Sequence, residues 1–486
     1  MNAKQLINVL PDYTCTNNIE SIEIEQIEMD NRQIKTNALF VCIKGYTNDG
    51  HEYAAAAVES GAKLIVAERE LNVSVPVVIV PDTSRALAQL ANTFYQQPSK
   101  RMNVIGVTGT NGKTSVTHII DQIQQQATKK TALIGTIKMT IDKTVYEVKN
   151  TTPDALFLQN SFQKMVDQAI DVCTMEVSSH ALDLGRVHGV DFNIAVFTNL
   201  SQDHLDYHES MESYLHAKSL LFSQLGNTFD EKQPKYAIIN EDDANATFLK
   251  KATAQPVLTY GVKHNATFQA VNVKLMASGV SFTLKTPEGD VLIESKLMGM
   301  FSVYNLLAAA AASYAAGIEL TTIQAVLNAT SGVKGRFQPV EHSGDFGVIV
   351  DYAHTPDSLE NVLTTIKCFC EGTIHVVVGC GGDRDRRKRP LMAEVACKYA
   401  DNAIFTADNP RSESPQAILE DMVDNLSYEN YQIVPDRETA IKQAIEQAND
   451  KDVVLIAGKG HETYQIVGDQ VLDFDDEQVA KKYLSE

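Results

Sequence analysis

The sequence predicts an α/β protein of three domains, with a central domain built on a mostly parallel sheet and a doubly wound C-terminal domain. The chain has 486 residues, which at roughly 150 residues per domain corresponds to about three domains. Apolar residues make up 44% of the chain, enough for a core in each domain. Short apolar runs alternate with helical stretches, and this alternation restarts at two points. We place the domains at 1–98, 99–333 and 334–486.

The first domain shows three apolar runs, at 38–43, 62–67 and 75–80. Helical segments such as HEYAAAAVESGA and SRALAQLANTFY follow them. This pattern predicts a small α/β domain.

The second domain begins after the break QQPSKRM. A buried strand over 103–107 leads into a glycine-rich turn and an amphipathic helix. Further apolar strands are predicted at 131–135, 171–177, 193–200 and 236–240. A polar, β-rich insert at 257–297 precedes the helix VYNLLAAAAASYAAG. The pattern is typical of a mostly parallel sheet with helical crossovers.

The third domain repeats the strand and helix alternation. Its apolar strands are predicted at 347–352, 375–380, 402–407 and 452–458. Four such strands separated by helical segments predict a doubly wound, Rossmann-like domain.

Composition excludes several function classes. The net charge of −20 repels nucleic-acid backbones, so we expect no nucleic-acid partner. The N-terminus does not resemble a signal peptide and no run of 18 apolar residues occurs, so we expect a cytoplasmic protein without membrane insertion. The seven cysteines lack paired CxxC spacing, which favours reduced thiols over disulfides or a zinc ribbon.

The segment VTGTNGKT, at 107–114, predicts a phosphate loop. It follows a strand and opens a helix, where backbone N–H groups can bind phosphates. Lys113 would neutralise the β and γ oxygens of ATP, and the Thr114 hydroxyl would bind Mg²⁺. Val107 occupies the position of the first glycine in the strict P-loop pattern. The predicted ATP-binding residues here are Gly109, Thr110, Asn111, Gly112, Lys113, Thr114 and Ser115.

Two further residues stand where an α/β fold places ligands, at the carboxyl ends of predicted strands. Glu176 lies in MEVSSH, and His204 lies in LSQDHLDYH. A carboxylate and an imidazole beside phosphate oxygens could hold Mg²⁺, although either residue alone is more often a packing or surface residue. Lys218, in YLHAKSLLF, is by composition a solvated lysine on a helix.

Taken together, the motifs of the chain resemble the Mur ligase family. The motifs are GTNGKT (109–114), NTTPD (150–154), EVSSHALDLGR (176–186), NLSQDHLDYH (199–208), AKSLLF (217–222), VYNLLAA (303–309), GRF (335–337) and DYAHTPDSL (351–359). GCGGDRDRRKRPLM (379–392), DNPR (408–411) and GKGHETYQ (458–465) resemble the branch of the family that adds a diamino acid to a muramyl dipeptide.

The resemblance implies an ATP-dependent amide ligase of peptidoglycan precursor synthesis. Its substrates would be UDP-N-acetylmuramoyl-L-alanyl-D-glutamate and meso-diaminopimelate, its cofactors ATP and Mg²⁺, and we expect a monomer. The γ-phosphate would pass to the D-glutamate γ-carboxylate, and the amine would attack the resulting acyl phosphate. The implied catalytic residues are Lys113, Glu176, His204 and Lys218. The implied metal ligands are Thr114, Glu176, His204 and Lys218, the last as a carbamate.

The resemblance also assigns binding residues to each substrate. The implied muramyl-dipeptide contacts are Asn31, Asn150, Thr151, Thr152, Ser178 and Arg186. Asn305, Arg336 and Asp351 match the family's further nucleotide contacts. The implied diaminopimelate contacts are Arg389, Asp408, Asn409, Pro410, Arg411, Gly458 and Glu462. Arg411 could bind the distal carboxylate in a bidentate manner, and Gly458 with Glu462 could receive the distal ammonium.

The chain departs from the family pattern at three positions. Asn31 stands where serine is usual beside the uridine site, and its amide can still donate and accept. Ser302 replaces a common asparagine, and Gln338 replaces a common glutamate. The last two affect the expected nucleotide geometry and not the reaction.

Three alternatives stay open at this point. A P-loop nucleotide-binding regulator would need the loop but not Glu176, His204 and Lys218. A ligase similar to folylpolyglutamate synthase would share the phosphate chemistry without DNPR and GKGHE. The lysine-adding ligases of the same family usually lack the arginine at position 411.

Overall fold

The structure is a computed structural model in which the chain divides into two compact units. The described residues are 1–45, 48–148, 150–204, 207–231, 233–276 and 278–485. The first unit consists of Met1–Thr259 and Ala311–Ile318, and the second of Tyr260–Ala310 and Glu319–Glu486. The three-domain boundaries at 98 and 333 stay a prediction.

The N-terminal part of the first unit is a sheet flanked by short helices. Its strands are β1 Thr14–Cys15, β2 Gln26–Glu28, β3 Ala38–Val41, β4 Ala62–Ala67 and β5 Val77–Ile79. Its helices are α1 Ala3–Ile7, α2 Ala54–Glu59 and α3 Thr83–Phe94. The strand order is β1-β5-β4-β3-β2, and β1 alone of these strands pairs antiparallel. The three predicted apolar runs form β3, β4 and β5.

The rest of the first unit is built on a second, mostly parallel sheet. Its strands are β6 Asn103–Thr108, β7 Thr131–Ile134, β8 Met139–Ile141, β9 Thr144–Tyr146, β10 Val172–Glu176, β11 Ile194–Phe197 and β12 Tyr236–Asn240. Its helices are α4 Lys113–Gln126, α5 Ala155–Asp167, α6 Ser179–Asp183, α7 Met211–Ser223 and α8 Ala246–Lys251. The strands lie in the order β12-β11-β6-β10-β7-β8-β9. Since β6 lies between β10 and β11 and is parallel to both, their carboxyl ends meet at one edge.

Side-chain caps fix where two of these helices begin. The Asp154 carboxylate accepts the Phe157 N–H at 2.9 Å ahead of α5. The Ser178 hydroxyl accepts the Ala181 N–H at 3.2 Å ahead of α6. Such caps satisfy N–H groups that have no partner within the helix.

The insert predicted at 257–297 is confirmed as β structure. Its strands are β13 Val257–Gly261, β14 Phe268–Met276, β15 Gly279–Thr286 and β16 Gly289–Ser295. β14, β15 and β16 pair antiparallel. The helices α9 Met300–Ala315 and α10 Leu320–Ala329 follow.

The C-terminal part of the second unit is a doubly wound sheet, as predicted. Its strands are β17 Gln338–Pro339, β18 Gly347–Asp351, β19 Ile374–Val378, β20 Asn402–Phe405, β21 Tyr431–Ile433 and β22 Val453–Ala457, followed by the hairpin β23 Tyr464–Val467 and β24 Gln470–Asp473. Its helices are α11 Pro356–Lys367, α12 Lys388–Tyr399, α13 Pro415–Val423, α14 Arg437–Gln447 and α15 Asp476–Leu484. The sheet order is β17-β18-β22-β19-β20-β21.

Both faces of this C-terminal sheet are buried. Along β22, Val453, Leu455 and Ala457 belong to one apolar cluster. Val454 and Ile456 belong to another. Because neighbouring residues of a strand point to opposite faces, helices cover both sides of the sheet. The predicted continuous apolar run is explained by this double burial.

The remaining expectations from composition concern cysteines and membrane helices. All seven cysteines are free. Within the described ranges, the helices are too short or too polar to cross a bilayer.

Candidate active site

The phosphate-loop prediction depends on backbone geometry at the end of β6, between Thr108 and Lys113. Gly109 and Gly112 adopt φ angles of 148° and 85°, which strain any residue with a side chain. A Cβ atom on Gly109 would also collide with the Thr198 hydroxyl. The loop therefore requires these glycines, and it leads into the N-terminus of α4, where anions bind.

Residues that follow β11 hold this loop in place. The Thr110 N–H donates to the Asn199 carbonyl at 2.9 Å, and the Asn111 N–H donates to the Asn199 side-chain oxygen at 3.0 Å. The Thr198 hydroxyl donates to the Asn111 carbonyl at 2.6 Å. The neighbouring strand thus fixes the loop that would bind phosphate.

Lys113 and Lys218 reach this loop from two different helices. Lys113 Nζ donates to the carbonyls of Gly109 and Thr110, at 3.0 and 2.8 Å. Lys218 Nζ, from α7, donates to the same Gly109 carbonyl at 2.8 Å. Lys218 is 1% exposed, and its Nζ lies 4.3 Å from the centre of the Tyr214 ring. The interpretation of Lys218 as a solvated lysine, which composition favoured, is therefore wrong.

The environment of Lys218 favours its neutral amine. Burial, followed by the nearby charge of Lys113, lowers the pKa of Lys218 well below its usual value, and Asp203 opposes this effect. An uncharged amine is a nucleophile, whereas an ammonium is not.

The Glu176 carboxylate is oriented by threonines on both sides. The Thr114 hydroxyl donates to Oε2 at 3.0 Å. The Thr136 N–H donates to Oε1 at 2.9 Å, and the Thr136 hydroxyl donates to Oε2 at 3.1 Å. Glu176 is 1% exposed, and a Cβ atom on Gly135 would collide with Oε1. Gly135 therefore leaves the space that this carboxylate occupies.

We expect Gly135→Ala to lower turnover by about 10²-fold, because displacing a catalytic group by about 1 Å costs on that order. The added methyl would collide with Glu176 Oε1 and displace the carboxylate to which the Thr114 hydroxyl donates. Steady-state kinetics at several Mg²⁺ concentrations would measure the effect, and the Mg²⁺ needed for half-maximal rate should rise. Unchanged kinetics and Mg²⁺ dependence in the folded variant would contradict this role for Gly135.

His204 lies in a group of histidine and tyrosine rings beyond β11. Its ring centre is 5.0 Å from that of His180 and 6.0 Å from that of Tyr214. The His204 side chain is 43% exposed, and its Nε2 lies 3.6 Å from Asp203 Oδ2. The Tyr214 hydroxyl, 3.2 Å from the Thr110 hydroxyl, connects this group to the phosphate loop. His204 is thus placed on the side of the loop where Tyr214 lies.

The oxygen donors beside the loop fit Mg²⁺. Mg²⁺ is usually held by one or two carboxylates together with waters and phosphate oxygens, and Thr114 and Glu176 offer a hydroxyl and a carboxylate. Within the part of the chain that the structure describes, no three His, Cys, Asp or Glu side chains form a metal site by themselves. The assignment of Thr114, Glu176, His204 and Lys218 as metal ligands stays a prediction.

Three residues predicted to bind the muramyl dipeptide are hydrogen-bonded together after β10. The Thr152 hydroxyl donates to the Glu176 carbonyl at 2.9 Å and accepts the Ser178 N–H at 3.0 Å. Arg186 Nη1 donates to the Thr152 carbonyl at 3.1 Å. These contacts place the three residues next to Glu176, whose catalytic role stays a prediction.

The other predicted dipeptide contacts are more open. The Thr151 hydroxyl lies 3.0 Å from that of Thr136, and Asn150 is exposed. Asn31 begins the 3-10 turn Asn31–Gln33 of the N-terminal part. Among the described residues no hydrogen bond joins Asn31 to the Thr152 group. Its predicted uridine contact stays a prediction.

In the second unit, Asp351 and Arg336 lie close to one another around the end of β18. The two Asp351 oxygens accept the N–H groups of Phe337 at 2.6 Å and Ala353 at 2.7 Å. Burial nevertheless raises the pKa of Asp351 to about 6, although Arg336 opposes this effect. The Arg336 guanidinium lies 5.1 Å from the centre of the Tyr352 ring, and its buried Nε has no hydrogen-bond partner among the described residues.

The two departures near the expected nucleotide site have local partners. The Ser302 hydroxyl donates to the Met298 carbonyl at 2.6 Å. Gln338 Oε1 accepts the Gly335 N–H at 2.8 Å, which a glutamate oxygen could also accept. Asn305 is buried in α9.

The motifs DNPR and GKGHE come together beyond the ends of β20 and β22. Asn409 Nδ2 donates to Glu462 Oε2 at 2.8 Å. Lys459 Nζ donates to the same Glu462 oxygen at 3.1 Å and to Asn409 Oδ1 at 3.2 Å. Gly458 adopts φ 115°, and a Cβ atom there would lie 2.8 Å from Asp408 Oδ2. The structure therefore unites most of the residues predicted for the amino-acid site.

Arg411 is held at its backbone and at one edge of its guanidinium. Its N–H donates to the Ile466 carbonyl at 3.0 Å, and its carbonyl accepts the Gly468 N–H at 2.7 Å. Nη1 donates to the Gly382 carbonyl at 2.8 Å and to the Asn409 carbonyl at 3.4 Å. Nη2 and Nε have no hydrogen-bond partner among the residues described, so this edge is available for a carboxylate.

The Arg389 guanidinium is paired with two carboxylates of the protein, whereas the resemblance implies a contact with the substrate. Arg389 is 0% exposed, and its guanidinium donates to Glu413 at 2.8 and 3.0 Å and to Asp421 at 2.6 Å. The Glu413 N–H in turn donates to the Pro410 carbonyl at 3.0 Å. These contacts support a role for Arg389 in holding the DNPR loop, and its predicted substrate contact stays a prediction.

Sequence reasoning missed several residues that complete these sites. They are Gly135, Thr136, Asn199, Tyr214, Lys459 and Glu413. Lys459 and Asn199 lie inside motifs that were recognised, which was a usable signal. The others carry no local signal, because their contacts depend on which strands and helices become neighbours.

Models of known families match three segments of the chain. The Mur ligase middle domain matches residues 107–313, and the Mur ligase glutamate ligase domain matches residues 335–460. The Mur ligase family catalytic domain matches residues 23–95.

Full-length relatives agree with these matches. A protein of Geobacillus thermodenitrificans is 55% identical over 466 residues, covering 96% of this chain and 95% of its own. The chain belongs to the Mur ligase family. That relative and one from Bacillus cereus, 53% identical over 485 residues and covering 100% of this chain and 99% of its own, are both named UDP-N-acetylmuramoyl-L-alanyl-D-glutamate--2,6-diaminopimelate ligase. A solved Mur ligase structure of the same name superposes with a TM-score of 0.76 at 34% identity, covering 99% of this chain and 98% of its own.

Membership of the Mur ligase family confirms the predicted family, fold class and enzyme class. The protein is an α/β, ATP-dependent ligase. The alternatives of a non-catalytic regulator and of a folate-type ligase lose their support, since both full-length relatives described above carry the name of an amino-acid-adding Mur ligase.

Proposed function

We propose that this Mur ligase joins meso-2,6-diaminopimelate to the D-glutamate γ-carboxylate of UDP-N-acetylmuramoyl-L-alanyl-D-glutamate, in peptidoglycan precursor synthesis. One observation carries the choice of amino acid. Arg411 keeps one guanidinium edge open, while Glu462 has donors on Oε2 only. An open cationic edge and an open carboxylate oxygen match a distal group that bears both a carboxylate and an ammonium. The names of the full-length relatives support the same assignment.

ATP would bind with its phosphates at the loop between β6 and α4. Lys113 would exchange its contacts with the loop carbonyls for the β and γ oxygens and offset their charge. Bound Mg²⁺ would supply further neutralisation of the transferred phosphoryl group. Thr114 and Glu176 would hold the Mg²⁺ ion. His204 and Lys218 would complete the surroundings of the ion.

The reaction makes a poor electrophile reactive in two steps. A γ-carboxylate oxygen of D-glutamate attacks the γ-phosphorus of ATP, and ADP leaves. The amine nitrogen then attacks the acyl carbon, giving a tetrahedral intermediate that loses phosphate and a proton to form the amide. Thr152, Ser178 and Arg186 would hold the muramyl dipeptide, because they are joined to the strand end that carries Glu176. Asn31, Asn150 and Thr151 would contact the rest of that substrate.

Lys218 would act as a carbamate. Its buried neutral amine can attack CO₂, forming an N–C bond and releasing one proton, which converts a potential cation into a carboxylate. Lys218 Nζ contacts the Gly109 carbonyl at 2.8 Å, which supports a carbamate beside the phosphate loop. It would then join the oxygen donors around Mg²⁺.

We expect Lys218→Ala to lower turnover by about 10²-fold or more, since a positioned charged group in such a site contributes on that order. A short carboxylic acid added in bicarbonate-free buffer should restore part of the rate by filling the vacated space. The rate of amide formation or of phosphate release measures both the loss of turnover and its partial recovery. Nuclear magnetic resonance of the enzyme equilibrated with isotope-labelled bicarbonate should show a carbamate signal that this variant lacks. A fully active wild type without that signal would contradict the carbamate.

The proposed function is tested by product identity. The protein is incubated with ATP, Mg²⁺, the UDP-linked muramyl dipeptide and either meso-diaminopimelate or L-lysine, and the product mass and released phosphate are followed. The proposal predicts the diaminopimelate adduct with stoichiometric phosphate. Phosphate release that does not depend on an amine, or a lysine adduct only, would overturn it.

A further inference from the structure

Lys459 is a buried cation within the predicted amino-acid site. The residue is 0% exposed, although lysine is among the side chains least often buried. Its Nζ contacts Glu462 Oε2 at 3.1 Å and Asn409 Oδ1 at 3.2 Å, and it lies 5.5 Å from the centre of the Tyr464 ring. A cation is costly to bury unless paired, so this arrangement needs its partners.

The contacts of Lys459 fix the orientation of the Asn409 amide. Asn409 Oδ1 accepts from Lys459 Nζ and from the Ile466 N–H at 2.9 Å. Its Nδ2 must then be the atom that donates to Glu462 Oε2. Without the cation, the amide would lose one of the two donors that select this orientation.

The same contacts decide which oxygen of Glu462 remains available. Oε2 receives both Asn409 Nδ2 and Lys459 Nζ. Oε1 receives no hydrogen bond from the residues described. The Glu462 carboxylate is therefore held through Oε2, and Oε1 remains able to accept a hydrogen bond from a substrate.

Lys459 also adds positive charge beside the carboxylate of Glu462. Arg411 and Lys459 are cations of the site, and Asp408 and Glu462 are anions; Arg437, which is paired with Asp476, and Asp383, which lies near Arg411, add one further charge of each sign. A site that offers charges of both signs suits a distal group that carries one charge of each sign. Removal of the Lys459 charge would make the site more negative and would favour a distal group that carries an ammonium alone.

We propose that Lys459 is a positioning residue that presents Glu462 Oε1 to the acceptor and sets the preference for a zwitterionic distal group over a cationic one. This inference rests on the proposed function. It adds a residue that acts through Glu462 and Asn409 without touching the reacting atoms.

The test compares Lys459→Met with wild type by steady-state kinetics with each amino acid. We expect the KM for meso-diaminopimelate to rise roughly tenfold to a hundredfold, the range for losing a hydrogen bond to a charged group. The KM for ATP should stay unchanged. The kcat/KM for L-lysine should rise, or should fall by a smaller factor than the kcat/KM for meso-diaminopimelate. The preference for meso-diaminopimelate over L-lysine would then be smaller than in the wild type. Lys442→Met is the matched control, because Lys442 also pairs with a glutamate, Glu446, and stacks on a tyrosine, but lies at the surface.

A double-mutant cycle separates positioning through Glu462 from loss of structure. In a Glu462→Gln background, Lys459→Met should add little further change in KM, because the group it positions is already altered. If the factors by which the two substitutions raise KM multiply in the double variant, the proposal is overturned. Equal losses of kcat/KM for both amino acids and for ATP would also overturn it. If Lys459→Met does not fold, Lys459→Gln carries the same comparison, since it removes the charge and keeps a hydrogen-bond donor. Failure of the wild type to use meso-diaminopimelate would instead refute the proposed function.

Discussion

Lys113→Ala is expected to lower turnover by at least about 10³-fold, because cationic groups that stabilise a transferring phosphoryl group are worth that much or more. Lys113 is the first residue of α4, and its Nζ already lies over the carbonyls of the phosphate loop. The fold should persist, since Thr198 and Asn199 hold the loop through hydrogen bonds that are separate from the two made by the Lys113 side chain. Phosphate release under saturating substrates measures the loss.

Lys129→Ala provides the control for this variant. Lys129 is an exposed lysine just beyond the C-terminal end of the same helix. Its removal should leave both turnover and the thermal midpoint unchanged. Near-normal turnover by Lys113→Ala, with the thermal midpoint of wild type, would contradict the placement of ATP at this loop.

Arg411→Ala is expected to lower kcat/KM for meso-diaminopimelate by about 10²–10³-fold, the cost of removing one partner of a buried charge pair. The open guanidinium edge is the part of the site that a distal carboxylate would occupy. L-Lysine lacks that carboxylate, so its much slower use should change little. Steady-state kinetics with each amino acid, at saturating ATP and muramyl dipeptide, measure both values.

Arg387→Ala is the control for Arg411→Ala. Arg387 is an exposed arginine that pairs with Asp385 at 2.9 Å, ahead of α12. Its loss should leave the preference between the two amino acids unchanged. Equal losses with both amino acids in Arg411→Ala would indicate a damaged loop and would contradict a specific carboxylate contact.

The sequence was informative where the pattern is local. The phosphate loop was predictable because the strand over 103–107, the glycines and the helix start are contiguous in the chain. The buried strands of the third domain were predictable because both their faces are covered, which makes the apolar runs continuous. Short strands such as β1, β8 and β9 were not predicted, since two or three residues carry too little pattern.

Residues of the site that depend on tertiary neighbours could not be predicted. Thr136 orients Glu176 only because β7 lies beside β10. The burial of Lys218 arises from packing of α7 against the loop, whereas its own sequence segment would suit a surface helix. Arg389 was predicted to face substrate, and its two carboxylate partners on and ahead of α13 could not be anticipated from spacing.

The central claim, a ligase built to accept meso-diaminopimelate, is tested most directly by one comparison. Wild-type kcat/KM is measured for meso-diaminopimelate and for L-lysine with saturating ATP, Mg²⁺ and UDP-linked muramyl dipeptide. The account predicts that kcat/KM is about 10⁴-fold higher for meso-diaminopimelate than for L-lysine. The reason is that L-lysine has no distal carboxylate, so the Arg411 guanidinium would stay without a partner when L-lysine binds. Equal or better use of L-lysine by the wild type would contradict the account.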